Sequence, residues 1–147
     1  MKKGLLFAAV AITLVFGMSS CTKEQQFLKT LNGDWRLDTE KDDDGDVITY
    51  GQFVTSYEEI WTFFDCNLKV KEYCSGTTIT TTVTTIPSGG GTTTNTSVQS
   101  GTFTYNVDEK DMLVVGSTVY IIDDVSKKSL TIHRPGHELA TMEFSKK

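Results

Sequence analysis

The chain has 147 residues, of which 14 are basic and 19 acidic, so its formal net charge is −5. An acidic chain repels phosphate backbones and anionic head groups, which argues against nucleic acid as a partner and against a polybasic membrane patch. The length suits one domain with its own hydrophobic core.

The first twenty residues have the charge and hydropathy order of a secretory signal. Lys2 and Lys3 form a positive start, and an apolar run extends from Gly4 to Gly17. This run is shorter than the roughly 20 apolar residues that a transmembrane helix needs. We therefore predict an export signal over residues 1–20.

The residues around the first cysteine resemble the bacterial lipobox. The sequence Met18-Ser19-Ser20-Cys21 places small residues before the cysteine, with Met where Leu is usual. The resemblance implies cleavage before Cys21 and a diacylglyceryl group on its sulfur, so that acyl chains hold the protein on a membrane. The expected location is the cell envelope, at the outer membrane, with residues 21–30 as lipidated tether and short helical turn. The alternatives are an ordinary secreted protein cut near Ser20 and a signal followed by an incidental cysteine.

Cys66 and Cys74 remain as an even pair once Cys21 is assigned to lipid. In an oxidising compartment a disulfide between them is the ordinary outcome. A straight strand between them would hold the sulfurs too far apart, so the bond requires the chain to turn back, and the stretch lacks typical turn residues. The alternative is a free Cys74 packed inward beside Val70.

One short helix and many strands are predicted after the tether. Phe27, Leu28 and Leu31 have helical spacing and end at Asn32-Gly33. From Gly33 onward, short β-branched and aromatic runs are broken by turn residues. The predicted strands are Trp35–Glu40, Val47–Val54, Glu58–Phe64, Leu68–Tyr73, Thr77–Ile86, Ser97–Val107, Met112–Val115, Thr118–Asp123, Ser129–His133 and Glu138–Phe144.

Short connections favour an up-and-down meander, so we predict an all-β fold with an antiparallel barrel of eight to ten strands over residues 31–147. One longer loop, rich in glycine and threonine, is predicted from Pro87 to Asn95. Between Thr77 and Thr85 the residues separate by parity. We expect Ile79 and Val83 to face the core and the alternate threonines to face water.

The stretch Leu31-Asn32-Gly33-Asp34-Trp35-Arg36-Leu37 resembles the opening of a lipocalin-like domain, in which a helical turn leads through Gly-x-Trp into the first strand. The resemblance implies that Gly33 and Trp35 close the base of the barrel and that a late arginine stacks over the indole. Arg134, which precedes the last predicted strand, is the candidate. Alternatively, Trp35 is a core aromatic of another β-barrel or sandwich.

The leading functional hypothesis is a tethered binding module that holds a small, largely apolar ligand in the barrel or at its mouth. Its candidate lining consists of Trp61, Phe63, Phe103, Tyr105 and Tyr120, although the same rings could fill the interior. The alternative is a non-catalytic envelope lipoprotein with a solid barrel that acts through contacts with a protein partner of unknown identity.

Neither catalysis, nor a metal, nor a cofactor is predicted. Residues 40–47 partly match a calcium loop, but Gly51 stands where the bidentate Glu belongs. His133 and His137 have a zinc-like interval, but Pro135-Gly136 prevents the helix that would align them. No serine lies in a Gly-x-Ser-x-Gly elbow, and no phosphate-binding glycine loop precedes a helix.

Overall fold

The computed structural model describes residues 23–67, 73–108 and 111–147. The elements are, in chain order, α1 (Lys23–Leu31), β1 (Gly33–Glu40), β2 (Val54–Phe63), β3 (Cys74–Ser88), β4 (Gly91–Asp108), β5 (Met112–Val115), β6 (Thr118–Val125), β7 (Ser129–Arg134) and β8 (His137–Lys146). Within these ranges the eight strands form a closed antiparallel barrel in sequence order. The predicted all-β, up-and-down barrel and the short helix are confirmed.

Two predicted segments have a different structure. The stretch Val47–Val54 is not a strand, because it contributes only an isolated bridge between Lys41 and Val47 before β2 begins at Val54. The loop predicted from Pro87 to Asn95 is also wrong. Strands β3 and β4 pair through this stretch as far as Ser88 and Gly91, because the threonines on both arms suit a pleated ladder and a two-residue glycine turn suffices. The predicted strand Leu68–Tyr73 lies outside the described residues except for Tyr73.

Strand β1 closes the barrel by pairing with both of its neighbours. Its first half pairs with β2, from Gly33 opposite Phe63 to Arg36 opposite Ile60. Its pairing with β8 continues to Glu40, with a register shift between Leu37 and Thr39. The upper part of β2 therefore leaves β1 and extends with β3 and β4 beyond the barrel. We call the parts of β2, β3 and β4 beyond this point the extended sheet.

Helix α1 covers one end of the barrel, which we call the base. Leu28 and Leu31 of this amphipathic helix are buried against the core, and Trp35 is fully buried beside them. The Trp35 indole N–H donates to the Leu31 carbonyl oxygen at 2.6 Å. This bond satisfies a polar group that would otherwise be costly to bury.

The cation over the Trp35 ring is Lys146, not Arg134. The Lys146 ammonium lies 5.1 Å from the ring centroid and donates to the Thr30 carbonyl oxygen at 3.0 Å. Gly33 has a φ of +117°, and a Cβ there would lie 3.0 Å from the Lys146 side chain. The expectation for Arg134 is wrong because β7 runs away from the base and ends at Arg134, whereas β8 returns to the base and ends at Lys146.

Cys66 and Cys74 form a disulfide, with their Cα atoms 5.5 Å apart. Both residues are buried, one after the end of β2 and the other at the start of β3. The Gln25 side-chain amide donates to the Cys66 carbonyl oxygen at 3.1 Å. The disulfide loop is thereby linked to α1 at the base.

Replacing Lys146 by methionine is expected to lower the free energy of unfolding by about 1–2 kcal/mol, because it removes both the cation over Trp35 and the hydrogen bond to Thr30. Urea unfolding measures this change. Arg134→Met is the matched control, with an expected change within about 0.5 kcal/mol, since Arg134 is exposed. A larger loss for Arg134→Met than for Lys146→Met would contradict this account of the base.

Candidate functional site

The five aromatic residues that the sequence offered as ligand lining pack against one another inside the barrel. Trp61, Phe63, Tyr105 and Tyr120 each have at most 8% of their surface exposed. The ring centroid of Phe63 lies 5.0 Å from that of Tyr105 and 5.4 Å from that of Phe103. The ring centroids of Trp61 and Tyr120 are 6.1 Å apart. These are the spacings of packed aromatic pairs. Side chains thus occupy the interior that a small ligand would need in an eight-stranded barrel.

Phe144 on β8 completes this aromatic cluster. Its ring centroid lies 5.2 Å from that of Trp61, and only 3% of the residue is exposed. Phe144 carries no motif that would predict this position, although alternation along the last strand places it on the same face as Met142 and Lys146.

Tyr105 lies at the base end of the cluster, opposite Cys74 in the register. Its hydroxyl donates to the Phe64 carbonyl oxygen at 2.8 Å. Burial, with a smaller contribution from the negative charge of Asp65, raises the pKa of Tyr105 to about 12. The hydroxyl is therefore a neutral structural donor under physiological conditions.

The end of the barrel opposite the base, which we call the mouth, is polar. Glu59 accepts hydrogen bonds from the Tyr57 hydroxyl and, at 2.5 Å, from the Trp61 indole N–H. Desolvation raises the pKa of Tyr57, and its hydrogen bond to Glu59 and the charge of Glu59 raise it further. This network covers the aromatic cluster on the β2 side.

A second tyrosine extends the mouth across the gap where β1 leaves β2. Tyr50 stacks on Tyr57 with ring centroids 3.6 Å apart, and its hydroxyl donates to Glu40 at 3.1 Å. Burial, assisted by Glu40, raises the pKa of Tyr50 to about 12. The segment predicted as a strand thus contributes a side chain that fills this gap.

Tyr120 and Arg134 lie on the other side of the mouth. Burial raises the pKa of Tyr120, while the neighbouring Arg134 cation opposes the rise. Both residues line a cavity of about 220 Å³, together with Glu40, Ile48 and Met142 among others. Ligand pockets usually measure about 300–1,000 Å³, so this cavity suits at most a very small molecule.

The histidines do not form a shared site. The Nδ1 atom of His133 lies 2.8 Å from Asp123, whereas that of His137 lies 2.9 Å from Asp43. Among the described residues, no group of three or more histidines, cysteines and acidic side chains is placed to hold a metal ion.

The acidic loop that partly matches a calcium motif has a compact hydrogen-bonded structure. One Asp42 carboxylate oxygen accepts from the backbone N–H groups of Asp44 and Asp46, both at 3.0 Å. The Asp42 backbone N–H in turn donates to the Asp46 carbonyl oxygen at 2.9 Å. This arrangement is a side-chain-stabilised turn.

Strand β4 has a long edge without a partner strand. It pairs with β3 over its length from Gly91 to Tyr105, but with β5 only from Tyr105 to Asp108. The Thr104 carbonyl oxygen still accepts from Gly116 at 2.7 Å. Over residues 91–103, no strand of the described chain pairs with the other side of β4, and we call this stretch the free edge.

Alternation identifies the backbone groups that point outward from this edge. Ser88 and Gly91 flank a two-residue turn, so they are a hydrogen-bonded pair, and every second residue of β4 after Gly91 faces β3 in the same way. The intervening residues direct their N–H and C=O groups away from β3. They are Thr92, Thr94, Thr96, Val98, Ser100 and Thr102.

The free edge lacks the features that usually protect an exposed strand. From Cys74 to Val107 the sequence contains no Asp, Glu, Lys, Arg or His, and residues 91–103 contain no proline. The β3–β4 register runs without a bulge. Natural edges are usually short, charged, bulged or covered, because a long uncharged edge pairs readily with another chain. At about 3.3 Å per residue the free edge is about 40 Å long.

The two faces of β3 point in directions opposite to those expected, which were Ile79 and Val83 toward the core and the alternate threonines toward water. Opposite residues share a face, and Thr78 lies opposite the buried Trp61, so the even-numbered threonines point to the barrel side. Ile79, which was expected in the core, is 40% exposed on the outer face. Val98 on β4 lies on the same outer face, opposite Thr81, and is 64% exposed.

The predicted lipidation site at Cys21 and the predicted signal lie outside the described residues. Within the part of the chain that the structure describes, no helix is long and apolar enough to cross a bilayer.

No protein-family model, curated protein or solved structure matches this chain.

Replacing Tyr105 by phenylalanine is expected to make the free energy of unfolding fall less steeply with pH under alkaline conditions. The folded protein keeps the Tyr105 proton to about pH 12, whereas an unfolded tyrosine loses it near pH 10. This contribution to stability is fully present below pH 10 and is lost as the pH rises through the folded pKa. The variant should reduce the slope of unfolding free energy against pH by up to about 1.4 kcal/mol per pH unit between pH 10 and 12.

Urea unfolding at a series of pH values gives this slope. Tyr73→Phe, which removes a tyrosine hydroxyl from an exposed position beside the same disulfide, is the matched control. Equal slopes for the wild type and Tyr105→Phe would contradict the assignment.

Proposed function

We propose that the protein is a non-catalytic envelope lipoprotein, tethered through Cys21, whose solid barrel presents the free edge of β4 to a protein partner. The observation that carries the proposal is the long, uncharged free edge. A partner strand would add to this edge through backbone hydrogen bonds, which is a common mode of protein recognition.

The filled interior supports a scaffold function over storage of a ligand. Rings from four strands of the barrel, β2, β4, β6 and β8, contact one another, and Tyr120 and Phe144 both pack against Trp61. Such a core resists deformation, because packed interiors have few voids. A rigid barrel would hold the extended sheet in a fixed orientation for its partner.

A second candidate function is the binding of a small ligand at the mouth. It is favoured by the cavity of about 220 Å³, where Ile48, Met142 and the ring of Tyr120 provide apolar surface beside Arg134. Its size and charged lining suit a small polar molecule better than the largely apolar ligand expected from the sequence.

The tether is tested by the full precursor carrying Cys21→Ser. We expect this variant to lose its partitioning into the detergent phase and the mass of the acyl chains, both measurable on purified protein, because each buried methylene contributes about 0.8 kcal/mol to membrane binding. The Cys66→Ser/Cys74→Ser double variant is the matched control and should keep both properties. If Cys21→Ser kept them, the lipid assignment would be wrong.

The interaction function is tested by hydrogen exchange of the backbone amides. We compare the wild-type chain in its own membranes with the dilute purified Cys21→Ser chain, by mass spectrometry of peptides that cover residues 91–103. A strand on the free edge should protect up to six additional amides, those that point outward from β4. A peptide covering the β7–β8 turn, at Pro135-Gly136, serves as internal control. Identical exchange in the two samples would sink this proposal.

The mouth is tested with Ala140→Trp, since Ala140 lines the cavity and a larger side chain would fill it. If the proposed interaction function holds, this variant keeps the protection at the free edge. If instead native mass spectrometry finds a small molecule on the wild type that Ala140→Trp loses, the ligand-binding function is the better one.

A further inference from the structure

We infer that the partner on the free edge is a second copy of the chain, and that the two β4 strands pair antiparallel about a two-fold axis near Ser97. This inference rests on the proposed function and names its partner. The result would be one continuous sheet in which the two extended sheets are joined edge to edge.

The register of the free edge is self-complementary. Ser97 lies at the middle of residues 91–103, so pairing centred there gives the largest overlap. It places Thr96 opposite the second copy's Val98, and likewise pairs Thr94 with Ser100 and Thr92 with Thr102. All six residues direct their N–H and C=O groups outward, and each such pair in an antiparallel ladder exchanges two hydrogen bonds. An isologous interface of this kind uses the same surface on both copies.

The distribution of charge also favours a second copy. The chain has a net charge of −5, but all of its charged residues lie outside residues 74–107. Two copies that meet through the free edge therefore bring no like charges into contact, whereas approach through the acidic remainder is opposed by repulsion. A basic or acidic partner would find no charge to recognise on this edge.

The outer face adds an apolar contribution at the centre of the interface. Val98 is 64% exposed in the single chain. With the axis at Ser97, the two Val98 residues are diagonal neighbours on one face, within about 7–8 Å of each other. Pairing would cover part of both side chains, so an exposed apolar residue at mid-edge becomes a contact at the centre of the joined sheet.

The first test measures the association state of the full chain carrying Cys21→Ser. Without acyl chains this variant needs no detergent, so two copies cannot be counted as a dimer because they share a micelle. Sedimentation velocity over a range of concentrations should show a monomer–dimer equilibrium. Val98→Lys, which places a charge in mid-edge beside the same charge of the second copy, should weaken the dimer at least about tenfold. Leu139→Lys is the matched control, because Leu139 is 59% exposed and lies on β8. It should change the dissociation constant less than about twofold.

The second test traps the pair at the axis. Ser97 would face its own counterpart in a non-hydrogen-bonded pair, where the Cα atoms are about 4.5 Å apart and a disulfide is allowed. Ser97→Cys in the Cys21→Ser chain should therefore form a covalent dimer on mild oxidation. Gln99→Cys on the same face should not, because the two copies of residue 99 lie several residues apart in this register. If Val98→Cys forms the covalent dimer and Ser97→Cys does not, the result would support self-pairing with the axis moved by one residue.

Failure of this inference is distinguishable from failure of the proposed function. A chain that remains monomeric at about 100 µM and forms no trapped dimer, while its free edge is protected in membranes, would overturn self-pairing and leave a different protein as the partner. Absence of protection in membranes, together with a monomeric chain, would overturn both.

Discussion

Strand β1 is shared between two neighbours, and the shape of the molecule depends on how its eight residues are divided. The first four pair with β2, while pairing with β8 continues to the end of the strand. This division closes the barrel, because β1 bridges β2 and β8 at its base end. Above Arg36, however, β2 is no longer paired with β1, so the upper parts of β2, β3 and β4 continue together as the extended sheet. Tyr50 stacks on Tyr57 where the two parts separate.

The two parts have different physical characters. The closed part is stabilised by burial: helix α1 covers the base, and aromatic rings from both halves of the barrel fill the interior. The extended sheet contains threonine, serine and glycine, buries little, and is held mainly by its ladder. At the mouth, Glu40 and Glu59 already accept hydrogen bonds from tyrosine hydroxyls, which limits their capacity to bind a ligand. The exposed backbone of β4, in contrast, offers a long row of outward-pointing N–H and C=O groups to a partner strand.

Much of the fold follows from the sequence because strand periodicity and turn chemistry are local signals. The barrel, the short helix and the burial of Trp35 were all predictable in this way. The inward-facing side of β3 could not be predicted in this way. It depends on the register with β2, where the large rings of Trp61 and Phe63 determine which face is internal. A pattern of two aliphatic residues among threonines is too weak to override that constraint. Likewise, the position of Lys146 over Trp35 depends on strand direction, which the resemblance to a lipocalin-like opening did not specify. The free edge was only partly visible in the sequence: the predicted strands Ser97–Val107 and Met112–Val115 already differ in length, but the first residues of β4 were predicted as a loop.

The arrangement of the base determines how the molecule carries a mechanical load. A pull on the chain at Lys23 acts first on α1, whose Leu28 and Leu31 are buried against the core and whose last carbonyl groups are held by Trp35 and Lys146. The Gln25 contact with Cys66 passes part of that force to the disulfide, and from there into β2 and β3. A pull at Lys23 therefore meets the buried face of α1 and its link to the disulfide before it reaches β1 through Asn32.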